Sequence, residues 1–173
     1  KTAEAASAYE AVLAMPEAAS VHGQTAWQLA ELRYRKGDRF GAIALYDKVV
    51  ALGRPEHLVE DALYNSAVTL GEAGRNDDAL ERLEKLLTSH RSSELVDDAL
   101  YAAGELLIRL DRLQEAAEKY GEYLRRFPGG PLSSDARFRR GWCLNAVGKS
   151  DAARAEFEAV LRGEQKGKRA AEA

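Results

Sequence analysis

The sequence predicts an all-α chain of stacked helical hairpins: four complete repeats of 37 residues, preceded by half of another. Three observations predict it. The turn residues Gly37, Gly74, Asp111 and Gly148 recur at a constant step of 37 positions, and self-similarity at a fixed period marks a repeat array. Aligned on those turns, whole columns agree. Ala42, Ala79, Ala116 and Ala153 are all alanine, Ala30, Ala67, Gly104 and Gly141 are all small, and Trp27, Tyr64, Tyr101 and Phe138 are all aromatic. Within a unit, Ala42, Tyr46, Val49 and Val50 stand at i, i+4, i+7 and i+8, one face of a helix.

The elements follow in order. Residues 1–18 align one period before a second helix, with Ala5 matching Ala42, Tyr9 matching Tyr46 and Leu13 matching Val50. They are expected to be the second helix of a truncated repeat. Complete repeats are expected over 19–55, 56–92, 93–129 and 130–163, and a polar tail over 164–173. In each repeat the first helix carries the small residue and the second carries the alanine, so the two axes can approach closely. The residue between them suits a left-handed helix end, with Asp38 or Asn76 beginning the next helix. Asp111 replaces glycine in the third turn, and Asp tolerates that conformation better than most residues. Between repeats, "LGRPEH" (52–57), "SHRSS" (89–93) and "FPGGPLSS" (127–134) supply the Pro, Gly and Ser that stop one helix and start another. The last could pass for a domain linker, but the repeat phase runs through it unbroken.

These columns resemble the tetratricopeptide repeat: a small residue at the eighth position, Gly at the fifteenth, Ala at the twentieth, an aromatic at the twenty-fourth, and often Pro near the end. In the third unit they are Gly104, Asp111, Ala116, Tyr120 and Pro128. The resemblance spans residues 24–162. The family's usual period is about 34 residues, so each unit here has a longer connecting loop. The resemblance implies a right-handed α-α superhelix whose concave wall, built from first helices, binds peptides. The stretch from Phe127 to Leu161 is also similar to repeats of bacterial cell-envelope proteins, namely the periplasmic Tol–Pal coordinator and the lipoprotein of the outer-membrane assembly machine. This implies a periplasmic or outer-membrane-associated place, with the cytoplasm as the alternative.

On family positions the wall has four rows. Gln24, Asp61, Asp98 and Asp135 form the first, and Trp27, Tyr64, Tyr101 and Phe138 the second. Glu31, Val68, Glu105 and Trp142 form the third, and Tyr34, Gly71, Ile108 and Asn145 the fourth. Arg35, Glu72 and Arg109 lie at the rim. The aromatic row reads either as packing between first helices or as a binding ladder, since aromatic anchors recur as hot spots. The aspartates read either as residues of a first turn that complement the helix dipole or as an acidic edge selecting Lys or Arg. Asn145 suits a clamp on a peptide backbone. Tyr34, Gly71 and Ile108 hold its equivalent positions, so the asparagine-rich clamp of chaperone-binding relatives is incomplete.

Other function classes find little support. Net charge is −3, without the basic excess of a nucleic-acid binder, and the local run Arg137, Arg139, Arg140 reads as a solvated helix face. No apolar run approaches the ~18 residues of a membrane span. Cys143 is the single cysteine, so no internal disulfide forms, and the expectation is a packed thiol. His22, His57 and His90 fall in the expected loops without the spacing of a metal site. Ser92, Ser93, Ser133 and Ser134 read as helix starts with no nucleophile elbow around them. No catalytic residue, cofactor or metal is expected. The chain is expected to be a non-enzymatic scaffold for a peptide or partner subunit. The alternatives are a structural spacer that self-associates through uncovered end helices, and the docking part of a larger enzyme.

Overall fold

The computed structural model describes residues 2–171, with side-chain surroundings for 4–163. The described residues form nine α-helices and no strand. α1 (Thr2–Leu13) comes first, and a short 3-10 turn, Pro16–Val21, follows it. Four hairpins come next: α2 (His22–Arg35) with α3 (Arg39–Leu52), α4 (Glu56–Glu72) with α5 (Asn76–Ser89), α6 (Val96–Arg109) with α7 (Leu113–Arg126), and α8 (Ser133–Ala146) with α9 (Ser150–Ala171). α9 carries the backbone of the expected polar tail as far as Ala171. The tail's last two residues and its side chains lie outside the described residues.

Each hairpin reverses direction in the same way. Gly37, Gly74, Asp111 and Gly148 all adopt positive φ, between 57° and 79°. At all four turns the residue after this one donates its N–H five residues back: Asp38 to Arg33, Arg75 to Leu70, Arg112 to Leu107 and Lys149 to Leu144, at 2.8–3.0 Å. This is the Schellman arrangement, which satisfies carbonyls that a helix end would leave bare. Asp38 then caps α3, accepting from the Gly41 N–H at 2.9 Å. Asn76 begins α5 as expected. It is the first helical residue, and Arg75 holds the cap position without a side-chain cap bond. Arg75 reaches Asp78 instead, and Arg112 reaches Glu115, each three residues on.

Burial follows the columns. Ala42, Ala79, Ala116 and Ala153 are buried, as are Ala30, Ala67, Gly104 and Gly141. On α5, Ala79, Leu80, Leu83, Leu86 and Leu87 face inward, and on α7 Ala116, Ala117, Tyr120, Tyr123 and Leu124 repeat the pattern. Burying each of the large side chains is worth roughly 1.5–3 kcal/mol, so one helix face provides much of a hairpin's stability. The small column meets a ring of the second helix in the third and fourth repeats. A Cβ on Gly104 would lie 2.6 Å from Tyr120 Cζ, and one on Gly141 would lie 2.7 Å from Phe157 Cε1. At these two positions glycine lets the ring lie against the helix, where a Cβ would force it to shift.

The chain forms two compact units, Lys1–Val96 and Asp97–Ala173. In the first, Ala26, Ala30, Ala42, Tyr46, Val49, Leu58 and Ala62 make one core, with Trp27 and Tyr34 partly buried against it. His22, expected in a loop, opens α2 and lies against the end of α1, its Nε2 hydrogen-bonded to the carbonyls of Met15 (2.9 Å) and Val12. In the second unit Cys143 is fully buried on α8. Burial pushes its thiol up to about 11, as befits a packing residue and not a nucleophile.

Candidate functional site

The wall residues divide between the two units. In the first unit, Glu31 on α2 accepts from the buried Tyr46 hydroxyl of α3 at 2.6 Å and faces Asn65 Nδ2 of α4 at 3.5 Å. The Tyr34 hydroxyl donates to Glu72 at 2.8 Å, and Arg39 joins the same carboxylate at 3.1 Å. Trp27 and Tyr64 are half-buried, Gln24 and Arg35 are exposed, and Val68 is an exposed apolar side chain on the same face.

In the second unit the wall is a connected network. Tyr101 stands edge-on to Tyr120 with ring centres 5.5 Å apart, and its hydroxyl donates to Asp135. Glu105 accepts from the Tyr120 hydroxyl at 2.5 Å, and Arg139 on α8 lies 3.4 Å from Glu105 and 3.7 Å from Asp135. Burial first, and the bond to Asp135 second, push the Tyr101 phenol up to about 12. The structure therefore brings together Tyr101, Glu105 and Asp135, while Arg109 and Asn145 stand exposed. Phe138 and Trp142 lie one turn apart on α8, 51% and 47% exposed, and the Phe138 ring stands tilted against Phe157 of its own hairpin with centroids 5.7 Å apart.

Sequence reasoning missed a pairing rule. The third-row residue and the large residue fifteen positions later (Tyr46, Leu83, Tyr120 and Phe157) change together. Glu31 with Tyr46 and Glu105 with Tyr120 are polar pairs closed by a hydrogen bond, while Val68 with Leu83 and Trp142 with Phe157 are apolar. A buried hydroxyl needs an acceptor, so the glutamates of the third row have an internal duty besides any contact with a partner. The alternation is visible in the sequence once the two columns are read jointly.

Three expectations need correction. Asp98 and Asp135 do lie in first turns, but Asp61 does not: α4 starts at Glu56, with Pro55 at its cap, which leaves Asp61 in the second turn. Burial raises the carboxyl pKa of Asp61 and of Asp98, so the helix dipole does not account for Asp61. The run Arg137, Arg139, Arg140 is not merely a solvated face. Arg137 (3.3 Å) and Arg140 both bind the buried Glu156 of α9, and Arg139 joins the wall network. His57 also departs from its expected loop and lies within α4, whereas His90 follows α5 in the loop, as expected, beside Glu56 and Glu60. Ser133 starts α8 as expected, and its hydroxyl donates to Phe127 O at 2.8 Å. Among the described residues no helix is long and apolar enough to cross a membrane.

Paired helices with a repeated left-handed turn, a small-residue crossing and a side-chain-lined first-helix face define a helical-repeat interaction fold. A profile of the tetratricopeptide repeat matches residues 64–131 and 120–170, more than half the sequence. The chain belongs to the tetratricopeptide repeat family. No curated protein matches it. Among solved structures it is similar to MamA, with 21% identity, TM-score 0.73, and coverage of 95% of this chain and 89% of that one. A kinesin light chain from Podosopora anserina with nearly identical TPR-like repeats shares 17% identity at TM-score 0.70, covering 97% and 89%. YrrB, described as a TPR protein with an unusual peptide-binding site, shares 24% at TM-score 0.63, covering 80% and 66%. At these identities the likeness establishes the fold.

Proposed function

We propose that the chain is a non-enzymatic scaffold that holds a peptide segment or partner subunit on its first-helix faces, within a bacterial envelope or assembly complex. Phe138 and Trp142 carry this reading. Their equivalents in the third repeat, Tyr101 and Glu105, are covered by Asp135 and Arg139 of α8. Phe138 and Trp142 are instead two large rings about half exposed on one turn. Clustered aromatics of this kind anchor partners. The occupant that fits is a segment with an apolar face for the rings and a polar group for Asn145.

The acidic row supports a preference for Lys or Arg in that partner. Asp61 carries a raised pKa through burial, with Glu60 and Glu31 adding repulsion. A carboxylate held partly out of water gains from an incoming cation. Trp27, Tyr64, Asp98, Arg35 and Arg109 would extend the contact surface within their own units. The similarity of the 127–161 stretch to envelope proteins favours a periplasmic or outer-membrane-associated site over a cytoplasmic one. YrrB's described peptide-binding site supports the same kind of occupant here.

A second reading, self-association, is favoured by Leu161, which is 57% exposed although Leu87 and Leu124 in the same column are buried. The double variant Phe138→Ala/Trp142→Ala separates the two. In affinity capture with the full-length protein, loss of the partner at unchanged helical circular dichroism supports the groove reading, at about 30-fold or more in affinity for one hot-spot residue. If that variant leaves capture unchanged while Leu161→Asp abolishes concentration-dependent sedimentation, the second reading replaces the first.

A further inference from the structure

We propose that Glu56, Glu60 and His90 form a site for one divalent transition-metal ion, with zinc the best-fitting member of that class. Glu56 and Glu60 are one helical turn apart on α4, so their side chains share a face. His90 directly follows α5, on the opposite arm of the same hairpin. One donor atom from each of the three lies within 4.8 Å of the other two. His90 Nδ1 stands 3.3 Å from Glu60 Oε1 and 3.6 Å from Glu56 Oε1. Two ligands about 2.1 Å from a common ion at the tetrahedral angle stand about 3.4 Å apart, so both separations match the edge of a tetrahedral zinc site.

The surroundings have the features of a built site. His90 Nδ1 is buried and makes no hydrogen bond despite the carboxylate oxygens close by. A buried ring nitrogen without a partner is costly, and a metal–nitrogen bond would satisfy it. The Ser93 hydroxyl donates to Glu60 Oε2 at 2.8 Å, which leaves Oε1 turned toward the histidine, as an outer-shell hydrogen bond does for a metal ligand. The His90 and Glu60 side chains are 15% and 19% exposed, whereas Glu56 is 79% exposed. Two ligands are thus preset, and the third can swing in from solvent behind the ion, leaving a fourth position for water. Two carboxylates balance a divalent charge. The imidazole favours zinc and its neighbours over magnesium and calcium, which prefer oxygen donors throughout.

The site is peculiar to the second repeat. One period earlier the three positions hold Ala19, Gly23 and Gly53, and one period later Ser93, Asp97 and Phe127. None of these sets can bind a metal through the same three positions. A bound ion would tie the start of α4 to the end of α5, closing the open mouth of one hairpin without touching the first-helix wall.

Calorimetric titration of Zn²⁺ into the metal-free full chain near pH 7 tests the proposal, with Mg²⁺ as the hard-cation control. The expected result is one ion per chain, no comparable binding of Mg²⁺, and a melting temperature raised by roughly 5 °C or more at a hundredfold excess over Kd. Co²⁺ in place of zinc should give the visible d–d absorption of a four-coordinate site. His90→Gln and Glu60→Gln should each weaken zinc binding by at least about tenfold, while His57→Gln, at the exposed neighbouring imidazole, should not. Absence of saturable one-to-one binding by the wild-type chain overturns the proposal whatever the variants do. Binding that survives His90→Gln, or that is lost only with His57→Gln, also overturns it.

Discussion

Replacing Tyr120 by Phe should change sign with the identity of residue 105. In the wild-type protein the Tyr120 hydroxyl is buried and donates to Glu105 at 2.5 Å. A hydrogen bond to a charged group contributes about 1.5–3 kcal/mol. The Glu105 side chain is 28% exposed and keeps Arg139 as a partner, so it rehydrates in part, and Tyr120→Phe should cost about 1 kcal/mol. Glu105→Val copies the residue that the second repeat has at this position, beside Leu83. It strands a buried hydroxyl at a cost of about 1–3 kcal/mol. Adding Tyr120→Phe in that background removes the stranded group, so the double variant should be more stable than Glu105→Val by about 1 kcal/mol or more. Urea denaturation followed by circular dichroism reads the midpoints, and comparable slopes license the comparison. A Phe substitution that is equally destabilising in both backgrounds would refute the pairing rule and leave the alternation along the chain without a physical cause.

Four further outcomes follow from the same geometry. Gly104→Ala places a Cβ within 2.6 Å of the Tyr120 ring and should destabilise by about 1–3 kcal/mol, read as a lowered denaturation midpoint. Asp111→Gly relieves a side chain held at φ 57° and should stabilise by roughly 0.5 kcal/mol in the same assay. The Tyr101 phenol, raised to about 12, makes a contribution that is complete below the unfolded value of about 10 and is lost as pH rises through about 12. Alkaline unfolding of Tyr101→Phe should accordingly show a shallower decline with pH. Asp61→Asn removes a carboxylate whose pKa is raised by burial and should raise the melting temperature near neutrality by roughly a degree or two; the gain fades in acid, where Asp61 itself takes up a proton.

What could be read from the sequence was what repeats. The turns at 37, 74, 111 and 148, the alanine column and the second-helix faces are set by neighbours a few residues away, and four copies reinforce one another. Features peculiar to a single repeat escaped. The early start of α4, which moves Asp61 out of the first turn, depends on Pro55 and the short loop before it. The pairing of Arg137 and Arg140 with Glu156 depends on which face of α9 turns toward α8. His90 lies 30 positions from Glu60, and no other repeat has the pair. The tyrosine–glutamate rule lies between these cases, since two columns must be compared together before it emerges.

The four identical reversals have a consequence for how the chain acquires its structure. Every one is closed by a backbone bond between residues five apart, so a hairpin's direction is decided before any distant segment arrives. Short-range closure carries little loop entropy and favours fast folding, and folding in an array can start at any unit and spread. A nascent polypeptide of this kind can set its hairpins one at a time as they leave the ribosome, each serving as the template for the next, without waiting for the far end to be synthesised.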